Sequence, residues 1–146
     1  MIRAIAAVIV GYIVLAVVVM CLFVGLWVVL GVDGVLQPGT FKGTMALNVG
    51  AVVVSIVGAL VGGAVCALIA KSLTPVKVLA GMVLVLGAAA AVVGVQRPEP
   101  GERKPGLTVR EALEQGREPN WYLIANPIIG AAGVLVGGMM VRKKAS

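Results

Sequence analysis

The chain has 146 residues, 60% of them hydrophobic and 12% charged, with a mean hydropathy of +1.10 and a formal net charge of +6. Soluble domains carry about a quarter charged residues, so this composition excludes an ordinary water-soluble domain. The positive surplus does not point to nucleic acid either. It sits in short clusters at the ends of apolar stretches, where lipid headgroups and the positive-inside bias account for it.

A helix needs roughly 20 apolar residues to cross ~30 Å of hydrocarbon. Four stretches meet that length, at about 4–31, 44–70, 75–95 and 121–141. What remains is too short for a soluble domain with its own core. Residues 1–146 therefore read as one integral membrane domain, an all-α, up-down bundle of four transmembrane helices. The polar loop 96–120 adds a short amphipathic surface helix.

The first stretch follows Arg3 and ends in Leu26-Trp27-Val28-Val29-Leu30. It is far longer than the ~7–15 apolar residues of a signal peptide, so it reads as an uncleaved first span. At ~1.5 Å per residue it is ~42 Å long and must tilt or project from the bilayer. Its bulky residues face lipid, with Ala4, Ala7 and Gly11 as the contact side, and Trp27 fits an interfacial belt. Asp33-Gly34 and Gln37-Pro38-Gly39 are turn chemistry.

The second stretch organises the rest. Between Gly43 and Ala70 it carries no charge, and Ala51, Ser55, Gly58, Gly62 and Cys66 recur at spacings of three and four. Such residues share one helix face. In lipid, helices associate through close backbone approach rather than hydrophobic drive, so this face is expected to be the central packing surface. Cys66, like Cys21, reads as a small buried hydrophobe. Lys71-Ser72 ends the helix, and Pro75 suits the first turn of the next one.

The third stretch holds two pairs of small residues four apart, Gly87 with Ala91 and Ala90 with Gly94. It too is built for close packing. In the loop after it, Arg97 to Gly106 is rich in proline and charge and should be irregular or extended. Thr108 and Glu111 have capping-box spacing ahead of Val109, Ala112 and Leu113, with Gly116 as a stop. This segment reads as a short amphipathic helix or, equally, as a partly ordered loop. The last stretch opens on Trp121-Tyr122, passes Asn126-Pro127 and ends at Arg142-Lys143-Lys144, with Asn126, Gly130, Gly133 and Gly137 on one face.

Four spans put both termini on one side. Counted by Lys and Arg the two sides tie at six each, but on the termini side the bases lie close to the span ends and no acid accompanies them. The positive-inside rule weights such residues. Both termini are therefore expected in the cytoplasm of a bacterial inner-membrane protein, with 96–120 outside. Gly58-Ala-Leu-Val-Gly-Gly63 recurs as Gly133-Val-Leu-Val-Gly-Gly138. Two related hairpins would produce this echo, and so would chance in a chain this rich in Gly, Val, Leu and Ala.

No span holds Asp, Glu or His, and Arg and Lys stand only at span ends. Ionisable groups at depth mark proton relays and ion paths, so a proton-coupled exporter is disfavoured. There is no histidine, no nucleophile triad pattern and no Walker or dinucleotide motif. The expectation is a protein that is not an enzyme and needs no cofactor or metal. Tyr12, Asn48, Ser55 and Asn126 remain as polar residues at depth, read first as interhelical hydrogen-bonding groups.

Two functions stay open. One is association, with itself or as an accessory subunit of a membrane complex. It expects an outward-facing small-residue stripe, and a partner surface at Arg110, Glu111, Glu114, Arg117, Trp121 and Tyr122. The other is a small channel or carrier for an uncharged or lipidic solute. It expects a cavity lined by Ser55, Asn48, Asn126 and the glycines. The one certain partner class is the lipid bilayer, and nucleic acid is excluded.

Overall fold

The computed structural model of the chain describes residues 1–99 and 101–144; Pro100, Ala145, Ser146 and the side chain of Lys144 lie outside the described residues. One proline of the extended segment and the last base of the tail are therefore among the groups left undescribed. Every regular element described is a helix: α1 Ile2–Val35, α2 Met45–Ala70, α3 Thr74–Gln96, α4 Val109–Gln115 and α5 Asn120–Lys144. All but α4 are long and apolar enough to cross a membrane, which points to a membrane protein.

The first helix runs past its expected end. Gly31 adopts a positive φ of 64°, a conformation that costs glycine little because it has no Cβ. The chain bends there and then resumes one more helical turn. Asp33-Gly34 thus lies inside a helix rather than in a turn, and the reversal comes at Pro38–Gly39. The bend turns Val35 and Leu36 inward, where they bury with Trp27, Phe41, Leu47 and Ala112. Trp27 is therefore not a belt residue: it is only 4% exposed and belongs to this second core.

Thr44 ties the bent end to α2. Its Oγ1 accepts from Leu47 N–H as the N-cap and donates to the Gly34 carbonyl at 2.6 Å. One side chain thus satisfies an orphan amide of α2 and an orphan carbonyl of α1. The Thr108–Glu111 capping box is present at the start of α4. Ala112 alone of the expected apolar face is buried; Val109 and Leu113 stay more than 40% exposed.

α2 and α5 form the central pair. A Cβ built on Gly63 would overlap the Val134 carbonyl oxygen, and one on Gly137 would overlap that of Leu60. A Cβ on Gly133 would stand 2.7 Å from that of Ala59. These helices meet backbone to backbone, as small-residue interfaces in lipid do. The two similar strings therefore pack against each other, but with their faces exchanged. Gly62 adjoins Leu15 of α1 while Gly63 adjoins α5; in the other string it is Gly137 that adjoins α2 and Gly138 that adjoins Val76 of α3. A Gly-Gly doublet opens two faces about 100° apart, at 3.6 residues per turn, and each string uses one for the central partner and one for a flanking helix.

The flanking helices follow the same logic. On α1, Val19 fills the space over Gly58, and Gly11 lies against Cys66. On α3, Gly87 receives Pro127 and Gly94 receives Leu123, while Val83 covers Gly130. Ala7, Cys66, Val76, Leu79 and Val134 share one buried cluster. At that end, Arg3 donates to the Ile69 carbonyl and Arg142 to that of Lys71. Two guanidinium groups from neighbouring helices thus complement the negative end of α2, which has no base in its own last turn.

Candidate functional site: a cleft between the first and third helices

α1 and α3 do not pack along their length. They share the buried cluster through Ala7 and Leu79. Farther along, Leu15 and Val19 on α1 stand apart from Val83, Gly87 and Ala90 on α3, across a cavity of about 260 Å³. Its floor is Ser55 and Ala59 of α2 with Asn126, Pro127 and Gly130 of α5. The gap follows from how the outer helices are held: α1 packs chiefly on α2 and α3 chiefly on α5, and the two meet near Gly11 and Leu79.

A second cavity, of about 730 Å³, lies beyond it under the loop. It is bordered by Phe23, Trp27 and Leu47 on one side and by Arg97, Glu99 and residues 113–118 on the other. Glu118 and Leu123 border both cavities. They mark the divide between the outer, loop-bordered cavity and the inner, helix-lined one, both of them open on one side.

The inner chamber is polar at a few points and apolar elsewhere. Asn126 Oδ1 is buried with no hydrogen-bond partner. Ser55 Oγ faces Tyr122 Oη at 3.5 Å, a long contact. Pro127 has no N–H to give the carbonyl of Leu123 four residues earlier, so that acceptor loses its helical partner. Glu118 adds a carboxylate whose pKa burial raises above the ordinary value. Trp27, which borders the outer cavity, has a buried Nε1 with no acceptor.

The residues singled out for packing are brought together. Ala51, Gly58, Gly62, Cys66, Ala91, Gly130, Gly133 and Gly137 are buried among the helices, and Ser55 and Gly87 line the cleft. Asn48 is buried on the same helix but does not border the cleft. The residues singled out as a partner surface are split. Arg110, Glu111 and Glu114 are exposed on α4, with Arg110 and Glu114 paired at 3.1 Å, and Trp121 is exposed. The capping-box bonds from Thr108 lower the Glu111 pKa. Arg117 is half-buried: its backbone bonds Phe41 and Gly43, and its guanidinium donates to the Arg97 carbonyl. Tyr122 is only 5% exposed, so it belongs to the interior and not to any docking surface.

Glu118 is the residue that sequence reasoning missed. It stands two positions before α5 in a charged loop, where composition gives no sign of burial. Backbone bonds from Arg117 to Phe41 and Gly43 pull that loop over the helix ends and carry the next residue inward. Among the described residues no His, Cys, Asp and Glu side chains gather into a group able to hold a metal. Compared with protein-family models, with curated proteins and with solved structures, the chain matches none.

The raised pKa gives a stability prediction with a defined sign. The folded state binds the Glu118 proton more tightly than the unfolded chain, so stability is lost as pH rises from the ordinary carboxylate range through the raised value. Glu118→Gln removes that loss. In detergent, the variant is expected to melt above the wild type at about pH 7.5, with the difference closing toward about pH 4. A variant that melts lower at the higher pH shows that the carboxylate is compensated instead.

Proposed function

We propose that the protein holds an uncharged or lipidic solute in the cleft between α1 and α3, as a small non-enzymatic carrier or channel of the membrane. The observation that carries this reading is the cavity itself. Its four helices leave about 260 Å³ unfilled, walled by apolar side chains and by Gly87 and Gly130, and bordered by Asn126, whose Oδ1 has no hydrogen-bond partner. Interiors packed for stability leave few such gaps and few such unpaired groups.

The reading includes an orientation. Residue pairings such as Val19 with Gly58 and Val76 with Gly138 support an up-down bundle. Arg3, Lys71, Lys77, Arg142 and Lys143 cluster at one end of the chain's spans, which supports cytoplasmic termini in a bacterial inner membrane. The second chamber and α4 would then lie at the outer surface, with the cleft in the outer half of the bilayer.

Association is the second reading, and one observation favours it. Gly81 has open space where a side chain would stand, and Ala88 and Ala89 are exposed with it on α3. The small-residue faces of α2 and α5, by contrast, are used up inside the molecule. Mass measurement of the protein extracted from its native membrane separates the two readings. A monomer carrying a lipid-sized adduct that survives detergent exchange supports the carrier. A homo-oligomer or a stoichiometric protein partner with no adduct supports association and overturns it.

A further inference from the structure

We propose that the occupant of the cleft is an amphiphile with a protonated amine head, its ammonium held by Glu118 and the Asn126 carbonyl and its alkyl chain lying between α1 and α3. This rests on the carrier reading above and names the ligand class.

Three residues that border the cleft carry acceptors: Glu118 its carboxylate, Asn126 an Oδ1 without a hydrogen-bond partner, and Leu123 a carbonyl that Pro127 leaves without its helical donor. The hydroxyls of Ser55 and Tyr122 face each other. Among the described residues no lysine, arginine or histidine borders the cleft, and Glu118 is the one ionisable side chain there. An anionic head would meet acceptors and a like charge. A hydroxyl head would satisfy one acceptor and bring no counter-charge to the carboxylate. Arg97 and Arg117 border the outer cavity and not the cleft, and the Arg117 guanidinium donates to the Arg97 carbonyl. An ammonium brings three donors and the missing charge together. Burial raises the carboxyl pKa, and a cation beside the group would favour its ionised form.

The lateral shape agrees. Leu15, Val19, Val83 and Ala90 give the cleft two aliphatic walls from helices that are otherwise largely uncovered by the chain. An alkyl chain can therefore enter sideways from the bilayer, with its head travelling at the level of the divide.

The test uses three photoreactive probes of equal chain length with a diazirine in the tail: an alkylamine, an alkanol and an alkanoate. The full-length protein in nanodiscs is labelled at neutral pH, and labelling of Leu15, Val19, Val83 and Ala90 is normalised to that of the lipid-facing Val17 and Val85. The amine is expected to label the cleft about tenfold more than the alkanol, the scale of one charge-assisted contact. Glu118→Gln should bring it down to the alkanol level, and Asn126→Leu should lower it severalfold. Equal labelling by amine and alkanol, or amine labelling unchanged in Glu118→Gln, overturns the amine assignment while the cleft remains a binding site. No enrichment of any probe at the cleft walls overturns the carrier reading as well.

Discussion

A single methyl group at Gly63 is expected to cost the folded protein about 3 kcal/mol, the upper part of the range for overpacking a filled interior. The Cβ of Gly63→Ala would occupy the position of the Val134 carbonyl oxygen. That atom is backbone on the central partner helix and cannot rotate away. The helices must separate, and separation loosens the contacts of Gly133 with Ala59 and of Gly137 with Leu60 as well. Gly81→Ala is the matching control. Nothing lies within 4 Å of the added methyl group there, and alanine in a helix interior is favoured over glycine by about 1 kcal/mol. Thermal melts in detergent should therefore move in opposite directions: a large fall for Gly63→Ala, no change or a small rise for Gly81→Ala. Equal responses would mean that the close approach of α2 and α5 is not what holds the molecule together.

That contrast also marks how far the sequence is legible. Four spans, the capping box at Thr108 and the small-residue faces follow from length, spacing and residue size. The bilayer leaves few alternatives to a helix for an apolar stretch of this kind. Which neighbour each face meets does not follow. Gly62 and Gly63 are adjacent in sequence and serve different helices, and nothing in a one-dimensional pattern distinguishes them. Trp27 and Tyr122 fail for a related reason. Aromatic residues near span ends fit the headgroup region, yet both are covered here because segments distant in sequence fold over them. Phe41 and Ala112 join the cluster around Trp27. The same cover produces the site. A charged residue in a charged loop reads as solvated, and only the hydrogen bonds of Arg117 to the 41–43 segment bring Glu118 to the head of the cleft. The sequence thus displays the packing surfaces, while the site lies where packing is left incomplete, and incompleteness has no residue signature.

Filling that gap should separate stability from binding. Ala90 is exposed and borders the cleft. Ala90→Trp can lay an indole across the space between Val83 and Val19. Filling a cavity with apolar atoms raises stability, commonly by about 1 kcal/mol, which in a chain of this size is a melting shift of about 3 °C. The delipidated variant is therefore expected to melt above the delipidated wild type. The same indole occupies the volume available to an alkyl chain, so the adduct seen by native mass spectrometry should fall at least about tenfold. A further difference appears on adding lipid back. Ligand that binds only the folded state raises its stability in proportion to the logarithm of its concentration, so the wild type should gain melting temperature with added amphiphile and Ala90→Trp should not. A structural void would give the first effect without the second and third. If Ala90→Trp melts higher but retains the adduct and its response to lipid, the bound molecule sits elsewhere and the cleft is only a packing defect. If all three effects appear together, the gap between α1 and α3 is maintained at the expense of stability for the sake of an occupant.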